Sequence, residues 1–183
     1  MSRRAIGRGN GTEETVQGYY FDLERERNRQ SDNQTAFTPG ISQILALDEV
    51  LKMMREEGVP EIFERHAVNA RAVRRAVESL GLELLADRPS NAVTAVKTPE
   101  DPPAGAVVDT MREAHGAVIA GGQKHLAGEI FRLGHIGFFD RSDIVDMISA
   151  LELSLDELGY PIGEGRAVET AQSVYRDARS GRV

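Results

Sequence analysis

An arginine in the middle of an apolar stretch is the residue of this sequence whose chemistry most needs an explanation. Arg132 lies in GEIFRLGHIGFF, a segment with the composition of a β-strand. Because side chains alternate between the two faces of a strand, its face also carries Ile130, Gly134 and Ile136. A charge is costly to bury unless it is paired, and a guanidinium matches a carboxylate or phosphate through two parallel hydrogen bonds. Two interpretations remain open: Arg132 binds an anionic ligand, or it forms an internal ion pair with one of the 29 acidic residues.

Two threonines that precede a predicted helix are a second candidate for ligand chemistry. Thr35 and Thr38 lie in TAFTPG, immediately before an apolar segment with helical spacing. Helix N-termini attract anions because their free N–H groups and the helix dipole point outward. The threonines therefore predict either a phosphate contact or an ordinary helix cap by Thr38, with Pro39 in the first turn.

The other groups capable of catalysis are scattered along the chain. The histidines are His66, His115, His125 and His135. Their spacing from one another and from carboxylates is not that of metal ligands, so no metal site is predicted. His66 falls on the apolar side of its predicted helix, which indicates a packed or hydrogen-bonded core histidine. Lys124 and His125 occupy a glycine-flanked loop near Arg132 and are further candidates for lining a site. No nucleophile motif of the G-x-S-x-G type is present.

Composition restricts the class of protein. The chain has 183 residues, with 22 basic against 29 acidic residues and a net charge of −7. This acidity argues against nucleic acid or an anionic membrane as a partner. The absence of cysteine excludes disulfides, thiol catalysis and zinc–thiolate sites, and it fits a cytoplasmic protein. No apolar run of about 18 residues predicts a membrane span, and the N-terminus lacks the apolar core of a signal peptide.

Helices and short strands must position these candidate residues. Apolar residues at helical spacing predict helices over about 39–57, 60–80, 142–158 and 166–179, with a charged helical run in 19–30 and a short helix at 106–115. Residues rich in β-formers predict strands at 82–86, 91–98, 117–122 and around Arg132. This order predicts an α+β fold: a small, mostly antiparallel sheet with helices packed on one face.

Several longer segments carry a family resemblance. They are GYYFDL, NQTAFTPGISQILALDEVLKMMREEG, ERHAVNARAVRRAVESLGLEL, PSNAVTAVKTPE, VIAGGQKHLAGEIFRLGHIG and IVDMISALELSLDELGYP. Over residues 18–161 they resemble, in order, the C-terminal part of class V aminotransferases of the alanine–glyoxylate and serine–pyruvate group. These are fold-type I enzymes that use pyridoxal 5′-phosphate. The resemblance implies an inter-domain and cofactor-phosphate segment over 18–40 and the aminotransferase C-terminal small domain over 41–183, while the polar, glycine-rich composition of residues 1–17 predicts a poorly ordered extension.

The resemblance also implies roles for Arg132, Thr38 and Thr35. In the family, the arginine of a strand of the form K-I-F-R-I-G-H-M-G holds the α-carboxylate of the substrate, and EIFRLGHIG puts Arg132 at that place. The family's T-P-F-T-P segment reaches across the dimer to the cofactor phosphate of the neighbouring subunit. Thr38 and Thr35 inherit this contact from TAFTP, although some members carry tyrosine at the position of Thr35.

The cofactor-binding lysine of the family has no counterpart at the matching place. In the family it lies before YYFDL, in a serine-containing loop of the S-G-S-Q-K kind, and nothing similar precedes Tyr19. Lys52 and Lys97 fall in a predicted helix and a predicted strand, and Lys124 falls in the small domain. The resemblance therefore implies that this chain contains no catalytic residue, because transamination needs a lysine to move a proton.

These observations predict the C-terminal part of a pyridoxal phosphate-dependent aminotransferase. The expected reaction moves an amino group between an alanine- or serine-type amino acid and a 2-oxo acid such as glyoxylate or pyruvate. The resemblance implies a homodimer and a requirement for a lysine-bearing large domain or chain, so this chain alone is expected to be inactive. Two alternatives stay open: a stand-alone carboxylate-binding or regulatory module, and an inactive remnant of a truncated gene.

Overall fold

The chain divides into two compact units, which meet in sequence between Glu56 and Glu57. The structure, a computed structural model, describes residues 19–162 and 166–181. The predicted extension over 1–17 lies outside the described residues, and the predicted division at 40/41 stays a prediction. Among the described helices, none combines the length and apolar content needed to cross a membrane.

The first unit contains two helices, α1 (Leu23–Ser31) and α2 (Ile41–Glu57, whose last residue belongs to the second unit). The carboxylate of Asp22 accepts the N–H of Arg25 at 2.8 Å, which caps the start of α1. The prediction that Thr38 caps α2 with Pro39 in its first turn is wrong. The helix begins at Ile41, whose N–H donates to the carbonyl of Pro39, and the carbonyl of Gly40 accepts the N–H of Ile44.

Helix α2 forms where its apolar spacing predicts it, but its apolar side chains lie on the surface of the unit. No residue of α2 is buried. The predicted apolar positions are between 39% and 64% exposed, and they are Ile41, Ile44, Leu45, Leu51 and Met54. The pattern therefore identified a helix without identifying what covers it.

The second unit is an α+β structure with a three-stranded antiparallel sheet, as predicted. Its helices are α3 (Val59–Ser79), α4 (Ala104–Glu113), α5 (Arg141–Glu157) and α6 (Arg166–Arg179). Its strands are β1 (Val93–Lys97), β2 (Ala120–Gly121) and β3 (Ile130–Gly134), and a 3₁₀ turn spans Lys124–Leu126. The sheet order is β1-β3-β2, so β3 is the central strand.

One face of the sheet packs into the core with the helices. Directly opposite residues of an antiparallel pair point to the same face. The pairs Thr94 with Leu133 and Val96 with Phe131 are fully buried on that face. The largest fully buried side chains around them come from α3, α4 and α5 as well as the sheet, and include Met111, Val107, Val73, Val77, Ile144, Ile148, Leu151 and Leu155.

Two predicted strands are shorter than their composition indicates. The strand at 82–86 reduces to a single bridge between Leu84 and Val96, and the strand at 117–122 reduces to β2. The side chain of Leu82 is buried in the core directly after α3. Only the short segment around Leu84 then pairs with β1, through backbone hydrogen bonds of Glu83 and Leu85. Strand β2 ends because the chain turns at Gly122 into the 3₁₀ segment.

A buried histidine follows β3 and is held between two elements. His135 Nδ1 lies 3.1 Å from the carbonyl oxygen of Asn91, which can only accept, so Nδ1 carries the proton. Nε2 then accepts the hydroxyl of Thr94 at 2.9 Å. Burial lowers the pKa of His135 from 6.5 to about 4, which keeps the ring neutral and uncharged in the core.

This histidine makes the fold acid-sensitive. The unfolded chain takes up a proton on His135 near pH 6.5, whereas the folded chain resists until about pH 4. Stability is therefore lost as the pH falls through this window, by about 2 kcal/mol between pH 7 and pH 5. We expect His135→Gln, whose amide retains hydrogen-bonding groups, to remove that loss from the pH dependence of the unfolding free energy, measured by urea denaturation. The exposed His125→Gln serves as control, and equal pH slopes in wild type and His135→Gln would contradict the assignment.

Candidate functional site

Arg132 occupies the middle of the central strand, on the face opposite the core. Its register partners are Ala95 on β1 and Ala120 on β2. Gly134 lies two residues along on the same face and is exposed. Small side chains therefore flank the partly buried arginine on both neighbouring strands, although Ile130, two residues earlier on the same face, is buried.

The guanidinium of Arg132 is held by a backbone atom. Its Nε–H donates to the carbonyl oxygen of Gly121 at 3.0 Å. Within residues 19–162 and 166–181, no carboxylate lies within 4.0 Å of this guanidinium. The interpretation of Arg132 as part of an internal ion pair thus finds no partner in this part of the chain. The two terminal nitrogens remain available to an anion.

The chemistry of this arrangement is binding. A guanidinium has only donors, so Arg132 can orient a carboxylate but cannot accept a proton from it. Its planar fork suits a carboxylate better than a single ammonium does. Lys124 and His125 lie exposed in the 3₁₀ turn between β2 and β3, and neither donates to nor accepts from another described side chain. In the described segments, no group of histidine and acidic residues is arranged to hold a metal ion.

The two threonines of the first unit differ in what their hydroxyls already do. Thr35 and Thr38 are both exposed. The hydroxyl of Thr35 donates to the carbonyl of Phe37 at 2.6 Å. That of Thr38 has no partner within residues 19–56. Because a threonine hydroxyl carries one proton, Thr38 can donate to an anion directly, whereas Thr35 must first give up an existing hydrogen bond.

The threonine loop is anchored on α1. The carboxylate of Glu26 accepts the N–H of Ala36 at 2.9 Å. The ring of Phe37 lies 4.8 Å from the rings of Tyr19 and Tyr20, and the guanidinium of Arg25 lies 4.6 Å from its centre. These contacts order the backbone around Thr38 without using the Thr38 side chain.

A third set of polar residues fastens the loop that follows β3 and was not predicted as a set. Arg65 donates to the carbonyls of Gly137 and Phe139 at 3.0 and 2.9 Å. Its other edge pairs with Glu57, and this pairing holds the pKa of the Glu57 carboxyl below its ordinary value. His66 Nε2 accepts the N–H of Gly137 at 3.0 Å, which confirms the predicted hydrogen-bonded histidine.

The sequence carried no signal for Arg65 in this role. Its partners lie 72 and 74 residues away along the chain. On its helix, it is one charged residue among several on a solvated face. Only the folded chain brings the loop to it.

The anchoring of the threonine loop can be tested through Glu26. Glu26→Ala removes the acceptor of the Ala36 N–H, so we expect the amide hydrogen of Ala36 to exchange with solvent roughly five- to tenfold faster. Glu24→Ala is the matched control, since Glu24 lies on the same helix and its carboxylate accepts no hydrogen bond within the first unit's described residues. Equal exchange rates at Ala36 in the two variants would show that the loop is held by other means.

Comparisons with known proteins place the chain among longer relatives. No family model matches the chain. It is 39% identical over 160 residues to a protein of Anabaena cylindrica named soluble hydrogenase 42 kDa subunit, covering 86% of this chain and 42% of that protein. It is 35% identical over 160 residues to an aminotransferase of Methanocaldococcus jannaschii, covering 86% of this chain and 41% of the relative.

The structural comparison agrees with this. The ureidoglycine–glyoxylate aminotransferase of Bacillus subtilis superposes with a TM-score of 0.86 at 27% identity, over 94% of this chain and 45% of that one. The chain thus spans about two fifths of the length of the curated relatives that it matches.

Proposed function

Because the chain belongs to the class V aminotransferases and matches the C-terminal part of their sequences, we propose that it forms the carboxylate-binding part of a pyridoxal 5′-phosphate-dependent aminotransferase. The observation that carries this proposal is the arrangement of the Arg132 guanidinium, whose two terminal nitrogens can bind a carboxylate. It is fixed by Gly121 on the sheet face opposite Phe131 and Leu133, and no acidic partner occupies it in the described segments.

The proposed reaction moves an amino group between a small amino acid of the alanine or serine type and a 2-oxo acid of the glyoxylate or pyruvate type. Every such substrate carries a carboxylate attached directly to the reacting carbon. A bidentate contact from Arg132 fixes that carboxylate and so orients the reacting carbon. The names of the relatives, several of which act on glyoxylate, support this substrate class.

The residues present fit one end of the cofactor. Pyridoxal phosphate supplies an electron-accepting ring that stabilises charge at the substrate carbon. The exposed hydroxyl of Thr38, which has no partner within residues 19–56, suits a phosphate oxygen, and Thr35 suits it only after losing its bond to Phe37. We propose that Thr38, and secondarily Thr35, contacts the phosphate bound in the neighbouring subunit of a homodimer. The exposed apolar side chains of α2 support a role for this helix in association.

The lysines of this chain do not suit the proton-transferring role. Lys52 pairs with Asp48 at 2.8 Å, and Lys97 pairs with Glu83 at 2.9 Å. Lys124 is exposed in the 3₁₀ turn. We therefore assign no catalytic residue to this chain and propose that the lysine comes from a large domain or chain that it does not span. On this proposal the chain alone is inactive.

The hydrogenase name of the Anabaena relative receives no support from the residues of this chain. Iron–sulfur centres are held chiefly by cysteine thiolates, and this sequence contains no cysteine. The same composition supports our proposal of a cytoplasmic protein, and the net charge of −7 supports partners other than nucleic acid or membrane.

A stand-alone carboxylate-binding or regulatory module is the second candidate. The second unit has its own buried core, and its Arg132 fork is available without further residues. Such a module would bind a small carboxylate in the absence of any lysine-bearing chain and would not change when one is added. An inactive remnant of a truncated gene would bind no carboxylate, and adding a lysine-bearing chain would produce no activity.

The substrate role of Arg132 predicts a kinetic defect. In an enzyme reassembled from this chain and a lysine-bearing large domain of a relative, Arg132→Ala should lower kcat/KM for the amino acid roughly a hundredfold, because the substrate carboxylate loses its charged partner. Arg112→Ala is the control, since Arg112 is exposed on α4 and pairs with Asp109 at 2.7 Å. Unchanged kinetics in Arg132→Ala would contradict the assignment of Arg132 to substrate carboxylate binding.

The proposed absence of a cofactor-binding lysine predicts a spectroscopic result. The purified chain mixed with pyridoxal phosphate should produce no specific visible absorbance of lysine-bound cofactor. Addition of the lysine-bearing large domain should produce that band. A stoichiometric band with this chain alone, abolished by Lys124→Arg, would instead locate the lysine within it.

A further inference from the structure

The hydrogen bond from Arg132 to Gly121 decides which edge of the guanidinium a ligand can use. A guanidinium offers a side edge, made by Nε–H and one terminal nitrogen, and an end edge, made by both terminal nitrogens. The Nε–H of Arg132 already donates to the Gly121 carbonyl at 3.0 Å. The end edge is the one that remains complete.

The position of that carbonyl depends on the next residue. The N–H of Gly122 donates to the carbonyl of Ile130 at 2.9 Å, which fastens the turn to the start of β3. A Cβ on Gly122 would lie 1.8 Å from the carbonyl oxygen of Leu126 and 2.9 Å from Ile130 Cγ1. No side chain fits there unless the backbone of the 3₁₀ turn moves. If the peptide between Gly121 and Gly122 shifts instead, the Gly121 carbonyl moves with it, away from the position that Arg132 donates to.

The neighbouring glycine has no such constraint. A Cβ on Gly121 meets nothing within 4 Å. Neither Gly121 nor Gly122 is among the glycines with positive φ. The two positions therefore differ in available space rather than in backbone conformation. They form a matched pair for the same substitution.

We infer that Gly122 is a positioning residue: through the carbonyl of Gly121 it holds Arg132 so that a substrate carboxylate is bound by the two terminal nitrogens, end-on. This inference rests on the proposed role of Arg132 in carboxylate binding. Gly122 itself touches no ligand. Its requirement is a closely packed turn that keeps one acceptor beside one arginine.

Nuclear magnetic resonance of the arginine side chains tests the positioning directly in the unliganded chain. We expect a measurable coupling across the hydrogen bond between Arg132 Nε and the Gly121 carbonyl carbon, with the Arg132 signal assigned by its loss in Arg132→Lys. Gly121→Ala should keep this coupling, and Gly122→Ala should lose it. Absence of the coupling in the wild-type chain would overturn the inference even if Gly122→Ala fails to fold.

Titration with glycolate tests the end-on geometry. Glycolate is a two-carbon carboxylate without an aldehyde or ketone group, so it cannot form a Schiff base with lysines. We expect binding to perturb the terminal nitrogens of Arg132 while the Nε coupling persists, and Gly122→Ala to weaken binding about tenfold or more. Gly121→Ala should bind within about twofold of wild type.

The outcomes separate this inference from the proposed function. Loss of the Nε coupling when glycolate binds would mean that the side edge is used, and end-on binding would be wrong. Glycolate binding of equal strength in Gly122→Ala and wild type would show that Gly122 does not position the fork. An intact coupling in wild type, lost in Gly122→Ala, together with no glycolate binding at all, would support the positioning role while overturning the carboxylate role of Arg132.

Discussion

The asymmetry of the three-stranded sheet is the constraint on which the second unit depends. One face of β3 contributes Phe131 and Leu133 to the core, and the other carries Arg132 between Ala95 and Ala120. Helices on both faces would bury the charge, and an internal acid would then be required to compensate it. Because Arg132 stays partly exposed on its face, its charge keeps contact with water in the folded chain.

Backbone carbonyls take part in holding both Arg132 and Arg65, and of the two only Arg65 also has an acidic partner among the described residues. Gly121 accepts from Arg132, and the carbonyls of Gly137 and Phe139 accept from Arg65. A carbonyl fixes the direction of a guanidinium without neutralising its charge. In Arg132 this leaves the charge free for an anion, while in Arg65 the remaining edge is matched by Glu57. The same kind of contact therefore serves the proposed ligand binding in one place and loop anchoring in the other.

On the proposed function, this chain orients the substrate and cofactor, and another domain or chain supplies the proton transfer. It spans about two fifths of its curated relatives, and its lysines are paired on the surface or exposed in a turn. A threonine loop ordered by Glu26 and Phe37 and an arginine ordered by Gly121 can each fix one end of a small charged molecule. Neither can move a proton. A division between orienting residues in one part of an enzyme and proton-transferring residues in another is consistent with this arrangement.

Local pattern was enough to determine the helices and the strand around Arg132, because helix and strand periodicities are set by neighbours in sequence. It predicted α2, α3, α5 and α6 within a residue or two, the antiparallel α+β class, and the apolar row that made Arg132 unusual. The family resemblance added the roles of Arg132, Thr35 and Thr38. The local pattern overestimated the length of two strands, since composition does not reveal where a partner strand ends.

Tertiary structure alone decided what each charged or small residue meets. The acceptor of Arg132, the anchoring of residues 137–139 by Arg65, and the neutrality of His135 all depend on groups 11 to 74 residues away. The difference between Gly121 and Gly122 is likewise invisible in the sequence, where they are identical neighbours. It arises because the turn at Lys124–Leu126 brings the Leu126 carbonyl against one glycine and leaves space beside the other. Contacts of this kind form only when the chain folds, and the local periodicity of the sequence does not encode them.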